Sequence, residues 1–232
     1  MVSLVPTPLS KIPGFNPRNA PVLGIDNHLE PIPQEKIISS ALRQRFLSPP
    51  VWEPEITIER KIVGKKLVDA AVLIGIVQRH QPFVLLTQRT AHLSSHSGQI
   101  AFPGGKIDAN DKDPIEAAIR ESEEEVGLTS QYIEVLGTLP TYTTGTAFVV
   151  TPVVALIKPD FKMKINTNEV ADVFEVPLSF LMTPANHQRH ALHWDGIDRK
   201  WFSMPYQDGD SERFIWGATA AMLRNFYRFL SA

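Results

Sequence analysis

The chain has 232 residues, 43% hydrophobic and 21% charged, a balance that suits one decorated globular domain and excludes disordered and fibrous chains. Its 23 Lys and Arg against 25 Asp and Glu leave a net charge of -2, so no global basic field exists to hold a nucleic acid and no nucleic-acid partner is expected. Cysteine is absent, which removes disulfides, thiol nucleophiles and thiolate metal sites, and the longest apolar run, 70–77, is far short of the ~20 residues a membrane span requires. No membrane association is expected, and a cytoplasmic location fits.

Ten of the 19 prolines precede residue 55. Each fixes φ and removes a donor, so residues 1–54 are predicted as a mostly extended arm. One short helix is predicted in it, over 34–47, where Ile37, Ile38, Ala41 and Leu42 follow helical spacing and Pro49-Pro50 forbids continuation. A single domain is predicted over 55–232. There the pattern turns to β-rich segments at 56–62, 69–79, 83–87, 132–138, 147–157 and 173–176. Helices are predicted at 114–126 and 216–230, and the dipeptide Asp195-Gly196 predicts a β-hairpin. The class is α+β.

The middle helix carries the chemistry. Asp113 is its predicted N-cap, Pro114 its first residue, Glu116 the closing member of a capping box and Gly127 its stop. At 100° per residue, Ile115, Ala118, Ile119, Ser122 and Val126 form the core stripe, and Glu121, Glu124 and Glu125 share an arc of roughly 100° beside it. Acids favour a helix's first turn, yet Glu123, Glu124 and Glu125 occupy the last, each costing a few tenths of a kcal/mol. The i,i+4 pair Glu121/Glu125 adds ~0.2–0.5 kcal/mol of repulsion. Arg120 can partner one of these carboxylates but not three, whereas a hard divalent cation would offset them all. Upstream, Phe102-Pro103-Gly104-Gly105 ends a strand in a glycine turn where a ligand or metal can approach the backbone.

Gly105-x5-Asp111-x8-Arg120-Glu121-Ser122-x-Glu124-Glu125-x-Gly127-Leu128 resembles the Nudix box, G-x5-E-x7-R-E-U-x-E-E-x-G-U. Asp111 stands in place of a Glu, one extra residue precedes Arg120, and Ser122 occupies an aliphatic position. The segment running from Leu85-Leu86-Thr87-Gln88-Arg89-Thr90 through Ser94 and Gly98 to Phe102-Pro103-Gly104-Gly105 is similar to the signature of the coenzyme A diphosphatase branch of that family, its register kept without gaps. That branch carries Asp at the Asp111 position and the extra residue after it, but an Arg where this chain has Ser94.

The resemblance implies a Nudix αβα sandwich with a mixed central sheet, a Nudix-box helix and a C-terminal helix. It also implies hydrolysis of a nucleoside diphosphate linked to another moiety, with Mg²⁺ or Mn²⁺ held through Glu121 and Glu125. Glu124 is a third ligand or holds a second metal through water, and Arg120 orients the carboxylates. The general base is Glu121 or a loop acid, for which Glu169 is the best candidate. Arg89, His96, Gly98, Phe102, Gly104 and Gly105 are the candidate substrate-binding residues. His92/His96 and His187/His190/His193 have zinc-like spacing but no completing acid or cysteine set, and no zinc site is expected there.

The leading reading is a cleavage of coenzyme A, or a derivative, to 4'-phosphopantetheine and adenosine 3',5'-bisphosphate. The alternatives are another Nudix pyrophosphatase, acting on ADP-ribose, another ADP-sugar or a nucleoside triphosphate, and a non-catalytic Nudix binding module. The partner is thus a small nucleotide substrate; the sequence leaves a homodimer open.

Overall fold

In a computed structural model of the chain, the described residues are 7, 9, 12–59, 64, 66–90 and 98–232. The predicted strand at 69–79 is β2 (Val68–Gln78), the spine of the larger sheet. It runs parallel to β8 (Phe148–Ile157) in unbroken register from Val68↔Phe148 to Val77↔Ile157. Opposite that partner it is antiparallel to β3 (Pro82–Arg89) and, further along, to β5 (Gly104–Lys106). β3 also pairs with β4 (Ile100–Ala101) and with β9 (Val170–Pro177), while β6 (Ile133–Thr138) and β7 (Tyr142–Thr143) pair with β8.

Alternation along β2 gives the sheet two buried faces. Ala71, Leu73 and Val77 pack with Val153, Ala155 and Ile157 against Ala117, Ala118 and Val126 of α3, the helix Pro114–Val126. Ala70, Ile74 and Ile76 face the other way, toward Met222, Leu223, Phe226, Phe229 and Leu230 of α5 (Gly217–Ser231). The layering is therefore helix, mixed sheet, helix. Burying both faces explains why these strands read as nearly continuous apolar runs.

A second, four-stranded sheet follows, of β1 (Gly24–Ile25), β10 (Gln188–Trp194), β11 (Ile197–Asp208) and β12 (Ser211–Trp216). Asp195 and Gly196 take φ 53° and 70°, the left-handed pair that a two-residue hairpin turn requires.

Three expectations change. The single helix predicted over 34–47 is two, α1 (Gln34–Ile37) and α2 (Ser39–Leu47), because Ile38 is extended at φ -69°, ψ 156°. The break lets Ile37 and Leu42 both enter the core. The strand predicted at 56–62 falls partly outside the described residues; within them it is one isolated bridge, Ile58 to Thr143, beside the two-residue strand β7. β12 had no predicted counterpart, although Asp208-Gly209 is a hairpin-turn signal of the same kind as Asp195-Gly196.

The N-terminal residues pack onto the rest of the chain. Asp26 is buried and receives a bidentate pair from Arg189, both bonds 2.8 Å, and the Nη2 of Arg224 at 3.0 Å. Arg224, itself 1% exposed, also donates to Glu55 at 2.7 Å and to His187 Nδ1 at 3.1 Å. His187 Nε2 lies 2.8 Å from the Leu181 carbonyl, so this ring is the neutral Nε2–H tautomer, and burial holds its pKa down at about 4.

Candidate active site

α3 starts as its sequence dictates, with Asp113 accepting from Glu116 N–H at 2.9 Å. Glu116 reaches back one residue further than a capping box, to Lys112 N–H at 2.6 Å. Its end is an αL cap: Gly127 sits at φ 73°, its N–H donates to the Glu123 carbonyl at 2.9 Å, and Leu128 N–H donates to the Ser122 carbonyl at 3.3 Å. The loop before β9 then covers the helix end. Lys164 N–H donates to the Val126 carbonyl and Asn166 N–H to the Glu125 carbonyl, both 2.9 Å, filling acceptors that a helix terminus leaves open.

Those contacts place the acids. Glu125 is 3% exposed and accepts from Gly104 N–H at 3.2 Å, with the Arg89 guanidinium 3.5 Å away. Burial pushes its pKa up to about 7; the Gly104 N–H and Arg89 oppose the rise, while the charges of Glu121 and Glu169 add to it. Glu121 is also raised, chiefly by burial and against the pull of Arg120, again with Glu169 contributing repulsion. Glu169 therefore lies within electrostatic reach of the pair. It is held by Asn166 Nδ2 at 3.2 Å, and its carbonyl accepts from Thr90 N–H at 2.9 Å.

Arg120 organises the opposite flank. Its fork grips Asp111 through two 3.0 Å bonds, and it donates to Glu121 at 3.0 Å, to Glu124 at 3.3 Å and to the Lys106 carbonyl at 3.1 Å. That pairing holds Asp111 below the usual carboxylate range and raises the arginine further. Glu124, with 58% of its side chain exposed, points to Arg120 and away from Glu125. Among the described residues no group of three or more His, Asp or Glu is placed to enclose a metal ion. Instead Glu121 and Glu125, one turn apart, share the wall, with Glu124 outside it.

The glycine pair is closely approached from both sides. A Cβ on Gly105 would stand 2.4 Å from the Glu121 carboxyl, and one on Gly104, whose φ is 155°, would stand 2.4 Å from the Ala71 carbonyl oxygen. This ridge has two sides. On the α5 side of the sheet, a cavity of about 370 Å³ is bordered by Arg89, Phe102, Gly104, Gly105 and Lys106, by Glu59 and Phe148, and by Trp216 to Thr219. Arg89, Gly104 and Gly105 thus belong to the carboxylate wall and to the cavity at once. Gly98 is an exposed turn residue at φ 67°, away from the cavity lining. His92, Ser94 and His96 lie outside the described residues. The other candidate histidines have protein partners: His190 lies 2.8 Å from Ser203 Oγ, and His193 lies 2.6 Å from Asp198.

Sequence reasoning missed Glu59, Lys106, the 144–146 loop and Leu9 as cavity walls. The Thr143-Thr144-Gly145-Thr146 turn was the one available signal.

Fold and carboxylate wall together define a hydrolase of the Nudix type. Residues 66–195, more than half of the chain, match the model of the NUDIX domain, and the chain belongs to that family. It is 44% identical over 168 residues to the uncharacterized Nudix hydrolase NudL of Enterobacter sp. (strain 638), covering 72% of this chain and 84% of that one. A C. elegans Ap4A hydrolase in a binary complex aligns over 48% of this chain and 81% of its own, with TM-score 0.41 and 24% identity. The NUDIX domain of Shewanella oneidensis NrtR complexed with ADP ribose aligns over 52% and 79%, with TM-score 0.40 and 25% identity. The chain is accordingly a hydrolase of pyrophosphate bonds. No helix among the described residues is long and apolar enough to cross a membrane.

Proposed function

We propose that the chain hydrolyses the diphosphate of coenzyme A or its derivatives, giving 4'-phosphopantetheine and adenosine 3',5'-bisphosphate. The observation that carries this reading is the ridge Gly104–Gly105, where the end of the coenzyme A diphosphatase-like signature, with Arg89 beside it, is set directly against Glu121 and Glu125.

The residues fit a divalent cation. Six carboxylates (Asp108, Asp111, Glu121, Glu124, Glu125 and Glu169) gather about two guanidiniums there, and among the described residues the buried Glu125 is offset by the Gly104 N–H at 3.2 Å and a 3.5 Å ion pair to Arg89. Glu121 and Glu125 would hold the ion. Mg²⁺ takes one or two protein carboxylates and completes its shell with water and substrate phosphate, so a closed three-acid cage is not needed. Bound there, Mg²⁺ or Mn²⁺ supplies charge stabilisation for the phosphoryl oxygens.

The chain's own residues do the rest. Arg89 meets the diphosphate on the cavity side of the ridge. Arg120 fixes the rotamers of Glu121 and Asp111. Water adds to one phosphorus as the bridging P–O bond breaks, the bridging oxygen leaving on the other phosphate, and Glu121 or Glu169 accepts the water's proton.

The test is a substrate panel of coenzyme A, ADP-ribose, diadenosine polyphosphates and deoxynucleoside triphosphates, each with Mg²⁺, Mn²⁺ or excess chelator. The highest kcat/KM is expected for coenzyme A, with no turnover in chelator. A preference for ADP-ribose would overturn the assignment in favour of the ADP-sugar alternative.

A further inference from the structure

Taking coenzyme A as the substrate, which rests on the proposed function, we propose that the cavity on the α5 side of the ridge receives the pantetheine arm, leaving the 3'-phosphoadenosine outside, and that Glu59 is the specificity-determining side chain.

The argument is one of charge. Among the described residues bordering the cavity, the ionisable side chains are Arg89, Lys106 and Glu59. Both cations flank the ridge: Lys106 follows Gly105 in β5, and Arg89 reaches Glu125. They are thus placed for the diphosphate itself. The other charged wall is a carboxylate, held in the cavity by the Gly145 N–H at 2.6 Å. The remaining walls are largely apolar, with Leu9, Phe102, Phe148, Trp216 and Met222 among them. A dianionic 3'-phosphate entering this space would lose water beside a like charge, with no third cation among the described residues to meet it.

The pantetheine arm has the complementary chemistry. It is uncharged, its methyl and methylene groups suit apolar walls, and its amides need both acceptors and donors. Glu59 offers the acceptor. The first turn of α5 borders the same cavity and offers backbone N–H donors; the Thr219 hydroxyl is already committed to the Ile100 carbonyl at 2.9 Å.

The two hydrolysis products separate the ends of the substrate. Their affinities are measured by isothermal titration calorimetry in Mg²⁺ buffer, on the full chain and on two variants, Ala218→Phe, which fills the cavity, and Glu59→Lys, which reverses its charge. Both variants are expected to weaken 4'-phosphopantetheine at least tenfold and to leave adenosine 3',5'-bisphosphate unweakened. Thermal melts verify folding; should Ala218→Phe not fold, Glu59→Lys decides alone. Loss of adenosine 3',5'-bisphosphate binding instead, or no change for either product, overturns the cavity assignment. If the wild-type chain hydrolyses coenzyme A and shows that reversed pattern, only this inference falls. If it neither hydrolyses coenzyme A nor binds either product, the proposed function falls and takes the inference with it.

Discussion

Replacing Glu125 by Gln tests the carboxylate wall through stability rather than rate. In the folded chain burial pushes this carboxyl up to about 7 from its ordinary 4.5, so between those values the folded protein keeps a proton that the unfolded chain has released. Stability therefore falls as pH rises through that window and levels off above it. The difference of 2.5 pH units corresponds to about 3 kcal/mol at 1.36 kcal/mol per unit. Gln is isosteric, can still accept from Gly104 N–H, and does not titrate. Losing the carboxylate partner of Arg89, a side chain 26% exposed, returns roughly 0.5 kcal/mol or less. In chelator at pH 8, Glu125→Gln is thus expected to be about 2–3 kcal/mol more stable than wild type, or roughly 5–10 °C in Tm for a chain of this size. The gap should close toward pH 4.5. Mg²⁺ at 100 times its Kd should close the gap and at 1,000 times its Kd should invert the order, since those concentrations add about 2.7 and about 4.1 kcal/mol to the form that binds it. The variant should also lose at least two orders of magnitude in rate. Differential scanning fluorimetry from pH 4.5 to 8, with and without Mg²⁺, gives all of this. A variant less stable than wild type at pH 8 in chelator would mean that native contacts already satisfy this acid, and the case for a cation would fail.

Gly105→Ala sets a methyl 2.4 Å from the Glu121 carboxyl, which can swing away cheaply, so kcat should drop about a hundredfold or more with Tm nearly unchanged; an active variant would show that the close approach is incidental. Arg120→Lys keeps the charge but loses the fork on Asp111, and Mg²⁺ affinity measured by calorimetry should weaken about 10–100-fold, an outcome that equal affinity would contradict. Arg224→Met leaves Asp26 and Glu55 short of a buried partner, at an expected cost of about 3 kcal/mol in urea denaturation; under 1 kcal/mol would show that Arg189 alone suffices. Ser94→Arg restores the arginine of the coenzyme A diphosphatase signature and should lower KM for coenzyme A about tenfold at constant kcat, in line with the ~1.5–3 kcal/mol of a charge-assisted hydrogen bond; an unchanged KM would detach that position from the substrate.

The helix 114–126 was legible because its determinants are local: a cap, a proline at the start, an apolar stripe and a left-handed glycine at the end. The strands of the larger sheet were legible for a related reason, since burial on both faces leaves apolar runs bounded by turn residues. What local pattern could not reveal was pairing. Whether 56–62 becomes a strand depends on an edge partner, and the partner it meets, β7, is two residues long. The arm was read from its prolines as extended. Its helices join the main core through Ile37 and Leu42, and its one buried acid, Asp26, is held by Arg189 and Arg224, each more than 160 residues away in sequence.

The same division runs through the site. The acids of α3 were readable because they sit at the unfavourable end of a helix, and that misplacement is a local fact about charge and dipole. Ser122, a polar residue on the buried stripe, stands where the Nudix box has an aliphatic one, and the structure supplies the reason it is tolerated. Its hydroxyl donates to the Ala118 carbonyl one turn back at 2.7 Å, so the core receives a satisfied polar group. Glu169 and Arg89 were legible only as candidates, because each reaches the wall from a separate segment: a loop that caps α3, and the end of β3. Glu59, Lys106 and the start of α5 could not be found from local pattern, since they become neighbours only when β2, β5 and β8 are in register and the second sheet has delivered α5 to the opposite face. The ridge is where the two kinds of information meet. Gly104-Gly105 is visible in the sequence as a turn, but the two glycines are approached from opposite directions: the backbone of β2 leaves no room for a side chain on Gly104, and the Glu121 carboxyl lies where a Cβ on Gly105 would stand. A chain that needed only the turn could have kept one of them; keeping both leaves the carboxylates of α3 and the cavity before α5 separated by nothing thicker than a backbone.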